Sequence, residues 1–298
     1  PIWKNVVSQK MYITGATGAL FDGASPDGAK DQKSIARVHQ AYGRDYQLPN
    51  TTAHNETCAS VANVMWNWRM LQITGEARFA DVMELALYNA ALAGISLDGT
   101  KFFYTNTLRQ VDDLPFELRW SRRREPYISC FCCPPNIVRM IAQSAGYAYS
   151  ENDEGISVNL YGSSILETYL RDGSRLRITQ ESDYPWDGEV RMIVYLPGTR
   201  EFTLWLRIPG WTEGATVKIN GEPLAAKPPA GEYFPIRRGW ADGDVVELTL
   251  PMRVRLMEAH PLAEELVNQA AVQRGPIVYC LESKDLPDGV KVSEIVVP

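Results

Sequence analysis

Apolar residues recur at helical spacing along the first half of the chain and alternate along the second. From Glu56, the residues Val61, Val64, Met65, Trp68, Leu71 and Ile73 fall mostly three or four positions apart and stop before Gly75, which predicts a helix. A second helix is predicted at once from Ala77, Phe79, Ala80, Met83, Leu87 and Ala91, up to Gly94. So short a turn makes the pair an antiparallel hairpin. A third helix is predicted from Pro134-Pro135, where proline suits the first turn, through Ile137, Met140, Ile141 and Ala145. Three or four helices with wide apolar faces do not enclose a large pocket, so further helices are expected upstream in a longer polypeptide. The sequence opens at Pro1 without a methionine.

From about Gly155 the period becomes two. Ile156-Ser157-Val158-Asn159-Leu160-Tyr161, Leu176-Arg177-Ile178, Val190-Arg191-Met192-Ile193-Val194 and Phe202-Thr203-Leu204-Trp205-Leu206-Arg207-Ile208 alternate, as do the runs beginning at Val217 and Val245. Short strands broken by Gly, Pro and Asp describe an antiparallel β-sandwich. The fold class is therefore multidomain α + β, with a helical part over 1–150 and a sandwich region over 151–298. A second sheet layer is expected to begin after about 252.

Composition narrows the partners. The chain has 298 residues, 45% apolar and 22% charged, and a net charge of −6. That balance argues against a nucleic-acid partner, which needs a concentrated basic face, and no apolar run is long enough to span a membrane. The basic run Arg122-Arg123-Arg124 reads as a solvated loop or an ion-pair partner. Five cysteines exclude a fully paired disulfide framework. Their grouping favours a reducing compartment, and a cytoplasmic location is expected.

Four of the cysteines fall in two clusters, Asn55-Glu56-Thr57-Cys58 and Cys130-Phe131-Cys132-Cys133-Pro134-Pro135-Asn136, each at a predicted helix start. Three thiols and a carboxylate suffice for a tetrahedral zinc site. Glu56 and Cys58 share a metal only if the chain is extended where they meet, and Pro134 disfavours helical geometry at Cys133. Buried, inert cysteines are the competing reading at this point, because cysteine is among the most buried residue types. Cys130 and the isolated Cys280 read as packing.

The runs Tyr46-Gln47-Leu48-Pro49-Asn50, Asn55-Glu56-Thr57-Cys58-Ala59, Phe102-Phe103-Tyr104-Thr105-Asn106 and Cys130 to Asn136 resemble, in order and spacing, successive motifs of glycoside hydrolase family 127, the β-L-arabinofuranosidase family. The resemblance runs from about Met11 to Ala148 and continues more loosely into the β half. It implies that the helices close an (α/α)6 barrel followed by β-sandwiches. It implies a Zn2+ ion held by Glu56, Cys58, Cys132 and Cys133, with Cys132 also the retaining nucleophile, and Tyr104 in the substrate pocket. The missing barrel half is expected on the same full-length chain. The partner is a carbohydrate, a plant-cell-wall-type oligosaccharide or glycoside, and a homodimer is an open alternative.

One departure from the family pattern stands out. The position of the family's general acid/base is Gln40, which has no titratable proton to give a leaving oxygen. His39 and Asp45 are the nearby candidates for that task, and His39 is also a candidate for orienting a sugar hydroxyl. Two function classes follow: a hydrolase with a zinc-bound cysteine nucleophile, or a zinc-stabilised carbohydrate-binding homologue without turnover. A redox or metal-sensing protein ranks last, for want of a C-x-x-C pair. Trp120, in a polar loop, is read as a sugar-stacking residue or a cover for the barrel edge.

Overall fold

Glycine punctuation sets the helical layer. In a computed structural model that describes residues 1–22, 39–114 and 117–297, helix α1 spans Ile2–Gln9. Two short strands follow, β1 (Leu20–Asp22) and β2 (His39–Ala41), paired antiparallel. Helix α2 (Thr57–Thr74) ends on Gly75, whose left-handed φ of 69° turns the chain directly into α3 (Ala77–Ala86). The expected hairpin is there. The run to Gly94 continues as a π turn over Leu87–Ala91 and a 3-10 turn over Leu92–Gly94. A Cβ on Gly94 would meet Thr57 Cγ2 at 2.5 Å, so only glycine lets this turn seat against the start of α2.

Helix α4 (Cys133–Gln143) begins at Cys133, one residue earlier than the proline pattern predicts, and Cys132 already has helical dihedrals as its N-cap. The prolines occupy the first turn, where their missing N–H groups have no helical partner to lose. Val61, Val64, Phe79, Met83, Ile137 and Met140 form the buried core of this layer, which Leu160 joins.

The β half opens with the hairpin β3 (Tyr149–Asn152) and β4 (Gly155–Val158) and continues with β5 (Ser164–Tyr169), β6 (Arg175–Ser182), β7 (Glu189–Tyr195) and β8 (Arg200–Ile208). After these come β9 (Thr216–Ile219), β10 (Glu222–Pro223), β11 (Glu232–Trp240) and β12 (Asp244–Thr249). They form a six-stranded sheet in the order β10-β9-β12-β7-β6-β5 and a four-stranded sheet in the order β11-β8-β4-β3, in which β4 and β8 run parallel. Alternating inward residues such as Ile178, Met192, Val246, Leu204 and Leu206 make the core between them. A separate three-stranded antiparallel sheet follows: β13 (Val254–Glu258), β14 (Ala270–Arg274) and β15 (Ile277–Tyr279). The architecture is thus mixed α + β, with few helices and several sheets.

Strand β8 is buried on both faces because the helical layer covers its outer side. Arg207, fully buried there, donates to Asp81 at 2.6 Å and to Glu84, both on α3. Tyr184 donates to Glu84 at 2.6 Å, and Gly210 N–H to Asp81 at 3.0 Å. Asn89, in the π turn, bonds the backbone of Pro276 and Val278 at 2.8 Å each, which ties the third sheet to the helices. Among the described residues no helix is long and apolar enough to cross a membrane.

Candidate metal centre

Two helix starts and one extended segment converge. Residues 53–57 run between two neighbours: His54 N–H and Asn55 N–H donate to Ala19 and Gly18 carbonyls at 2.9 and 3.0 Å, while Thr57 N–H donates to the Tyr104 carbonyl at 2.9 Å. Glu56 is the N-cap of α2 with extended dihedrals (φ −57°, ψ 137°), and Cys58 stands in the first turn. The chain is extended at Glu56, as sharing a metal requires. Across from it, Cys132 and Cys133 open α4. Both clusters thus stand at helix N-termini, whose dipole favours anionic sulfur and oxygen, although the prolines of α4 leave few N–H groups in its first turn.

The donor atoms of Glu56, Cys58, Cys132 and Cys133 all lie within 4.8 Å of one another. Cys58 Sγ and Cys133 Sγ are 3.5 Å apart, and Cys132 Sγ and Cys133 Sγ 3.7 Å. Glu56 Oε1 is 3.4 Å from Cys132 Sγ and 3.9 Å from Cys133 Sγ. Zinc–sulfur bonds of about 2.3 Å and zinc–oxygen bonds of about 2.0–2.2 Å at tetrahedral angles require sulfurs about 3.8 Å apart and sulfur–oxygen edges of about 3.5 Å. The donor set fits such an ion in chemistry and in spacing.

The surrounding groups bias the protons. In the metal-free chain the Cys133 thiol, in hydrogen-bond contact, and the Asn136 amide, donating at 3.1 Å, bring the Cys58 thiol down to about 7 against the opposing effect of burial. Burial and the Cys58 sulfur push Cys132 up to about 12, and the contact with Cys58 pushes Cys133 well up. Burial would raise Glu56, but His54 and the thiol donors outweigh it and hold the carboxyl below the usual range. His54 Nε2 stands 3.4 Å from Glu56 Oε2 without hydrogen-bond geometry, and neither ring nitrogen has a hydrogen-bond partner among the described residues.

Gln40 lies at the rim of this cluster. It is the middle residue of β2, with φ of 60°, and its Nε2 donates to Glu56 Oε2 and to the Tyr104 hydroxyl, each at 2.8 Å. Tyr104 is buried, and its ring stacks on Trp120 at 3.8 Å between centroids and 22° between planes. Trp120 therefore covers the Tyr104 ring. Cys130 Sγ sits 3.9 Å from Cys132 Sγ, outside the four-donor group, and packs with Tyr104 and Ile128.

The other candidates fall differently. Asp45 spends its carboxylate at the surface on Lys10 (2.9 Å) and Asn5, and those hydrogen bonds hold it below the usual range. The backbone of His39 is in β2, but its side chain lies outside the described residues. The basic run braces backbone: Arg122 donates to the Val111 carbonyl and Arg124 to Ala93 O at 2.9 and 3.0 Å.

Three family models cover nearly the whole chain: the GH127 β-L-arabinofuranosidase catalytic domain over residues 1–146, the GH127 middle domain over 155–252 and the family 127 C-terminal domain over 254–298. The chain belongs to glycoside hydrolase family 127. Within GH127 it is 36% identical over 294 residues to a non-reducing end β-L-arabinofuranosidase of Bifidobacterium longum subsp. longum, covering 96% of this chain and 42% of that protein. A solved structure described as a glycoside hydrolase matches with a TM-score of 0.90 and 52% identity, over 97% of this chain and 48% of that one. A GH127 β-L-arabinofuranosidase from Geobacillus stearothermophilus T6 matches with a TM-score of 0.83 and 42% identity, over 95% and 42% respectively. The chain thus spans less than half the length of these relatives.

Two residues of this GH127 site escaped the sequence reading. Asn136 stands three positions after Cys133 on the predicted third helix, so helical spacing alone could have flagged it as facing the same way. His54 had only its place two residues before Glu56 to mark it.

Proposed function

We propose that this chain is the metal-binding portion of a retaining glycoside hydrolase acting on a β-L-arabinofuranoside-like sugar, with Cys132 as nucleophile. The observation that carries the reading is the convergence of Glu56, Cys58, Cys132 and Cys133 at edges fitting one tetrahedral ion. Zinc bound there would keep the sulfurs deprotonated at neutral pH. Cys132 is the choice for attack because Cys133 is fully buried and Cys58 is engaged by Asn136, whereas Cys132 is partly accessible. Its sulfur would attack the anomeric carbon as the bond to the leaving oxygen breaks, and water would then displace the sulfur, so that two inversions give retention. One of the two carboxyls of an ordinary retaining enzyme is replaced by a thiolate. Tyr104 and the Trp120 ring stacked on it would line the sugar side.

The same reading takes residues 1–150 as part of an (α/α)6 barrel and 151–298 as a sandwich region with a second sheet layer from about 252. The exposed apolar residues Val138 and Ile141 on α4 support helical neighbours beyond this chain. The five unpaired thiols favour a reducing, cytoplasmic setting.

A second reading, carbohydrate binding without turnover, draws its support from Gln40. Both hydrogens of its amide are committed to Glu56 and Tyr104, and it offers no acid. Hydrolysis of an aryl β-L-arabinofuranoside by the zinc-loaded full-length polypeptide separates the two. Turnover with retention, reduced on the order of 10³-fold or more in Cys132→Ala, supports the first. Sugar binding without turnover supports the second, and full activity in Cys132→Ala defeats the nucleophile assignment.

A further inference from the structure

The Glu56 carboxylate is divided between two surroundings. Oε1 faces the sulfurs of Cys132 and Cys133 at 3.4 and 3.9 Å. Oε2 faces away from them, toward Gln40 Nε2 at 2.8 Å, with His54 Nε2 3.4 Å distant. We propose that Gln40 is a positioning residue for the metal: its amide pins Glu56 Oε2, so that Glu56 meets the ion through Oε1 alone. The proposal rests on the metal reading above and adds a task for a side chain that cannot serve as an acid.

Three observations carry it. First, the geometry of Gln40 matches a strut. Its Nε2 has two hydrogens and two acceptors, Glu56 Oε2 and the Tyr104 hydroxyl, at equal 2.8 Å distances. An amide so anchored cannot rotate without losing both bonds. Tyr104 is itself fixed, stacked on Trp120 at 3.8 Å and held through its carbonyl by Thr57 N–H at 2.9 Å. Second, the backbone of Gln40 is held at φ 60°, a conformation that L residues other than asparagine and aspartate seldom adopt. A residue kept there in mid-strand, with its side chain spent on the ligand carboxylate, fits strain retained for a site. Third, His54 makes no hydrogen bond to Glu56, although it lies within 3.4 Å. Among the described groups around Oε2, Gln40 is then the one that donates a well-formed hydrogen bond.

The chemistry explains why a donor on Oε2 matters. A carboxylate with both oxygens free can swing to chelate an ion through two of them and raise its coordination number. A hydrogen bond on the outer oxygen opposes that swing and keeps a four-ligand shell. Groups that orient a metal ligand from behind in this way commonly change affinity 10- to 100-fold when removed.

The test uses zinc and cobalt(II) on the full-length protein. Zinc release to a chromogenic chelator in excess should accelerate about 10- to 100-fold in Gln40→Leu, which keeps the bulk and removes the donor. Cobalt(II) in the parent should give the intense visible bands of a four-coordinate thiolate site. In Gln40→Leu those bands should weaken severalfold as Glu56 turns bidentate. Tyr104→Phe removes one of the two anchors of Gln40 and leaves the contact with Glu56, so its release should accelerate less than that of Gln40→Leu.

Circular dichroism melts of the metal-free proteins establish that each variant folds. Should Gln40→Leu not fold, Gln40→Asn, one methylene too short to reach Oε2, should give the same two changes. An unchanged release rate and an unchanged cobalt spectrum in a folded Gln40 variant overturn the proposal while leaving the metal site intact. Acceleration in Tyr104→Phe equal to that in Gln40→Leu also overturns it, because loss of the Tyr104 hydroxyl would then give the whole effect with the Gln40–Glu56 contact still possible. If the parent binds no metal, or if Glu56→Ala changes neither stoichiometry nor spectrum, the metal reading itself has failed.

Discussion

Asn136, in the first turn of α4, donates from Nδ2 to Cys58 Sγ, 3.1 Å away in the first turn of α2. One amide thereby joins the two helix starts that carry the donor atoms, and it acts on the one thiol of the cluster whose pKa is lowered.

The contacts of Cys58 with Cys133 first and with Asn136 after it set a pH dependence in the metal-free protein. With the Cys58 thiol at about 7, its thiolate grows in as pH rises through neutrality, while Cys132, at about 12, stays protonated. Iodoacetamide followed by peptide mass mapping should therefore label Cys58 first, with a midpoint near pH 7. Asn136→Ala removes a donor to the thiolate and should move that midpoint up by about one pH unit. Faster labelling of Cys132 than of Cys58 at pH 8 would contradict the assignment.

Metal content is the next expectation. The purified protein should carry about one zinc per chain, since the three thiols and Glu56 make a single closed set. Lowering the pH should release the ion, because protons compete for the sulfurs. Elemental analysis of Cys58→Ser should show most of the metal gone. A fully folded, metal-free parent would count against the site.

Replacing Gln40 by glutamate tests where the proton comes from. An aryl leaving group needs little protonation, so the parent should cleave aryl glycosides much faster than alkyl ones. Gln40→Glu should narrow that gap by accelerating the alkyl substrate. A parent that already cleaves alkyl glycosides well, with no response to Gln40→Glu, would move the acid to another group.

Away from the cluster, the buried ions between α3 and β8 should dominate stability. Arg207→Met leaves Asp81 and Glu84 buried without their counter-charge and should cost about 3–5 kcal/mol in urea unfolding. Tyr184→Phe removes one neutral donor to Glu84 and should cost about 1–3 kcal/mol. Equal, small effects from both would mean that the network is solvated.

How much of this could be read from the sequence depended on how local the determining contacts were. Helices α2 and α3 and strands β6, β7, β8 and β12 follow from periodicity, although β8 proves to be buried on both faces. Strand β11 did not, since Pro235 interrupts its pattern. Its place at the edge of the sheet, paired only with β8, is what lets it keep a proline. Arg207 sits among alternating residues and passes for solvent-facing. Its burial depends on Asp81 and Glu84, more than 120 positions away, which no periodicity records. The four donors were legible through ordered motifs, whereas the second role of Gln40, as a hydrogen-bond donor to Glu56, appears only when β2 is laid beside α2.

Cys58 and Cys133 are 75 positions apart in sequence and 3.5 Å apart in space. Between the end of the Leu92–Gly94 turn and α4, the described chain has no helix or strand longer than an isolated bridge, and it includes Trp120 and Tyr104. An ion at this centre would be a removable stitch across that whole excursion. A permanent cross-link closing a loop of this length restricts the unfolded chain by about 4 kcal/mol. Taking the ion out would slacken the loop as well as reprotonate the sulfurs. On the function proposed above, the Tyr104–Trp120 stack and the reactivity of Cys132 would then be lost together, whichever of the two an inhibitor or a chelator was meant to reach.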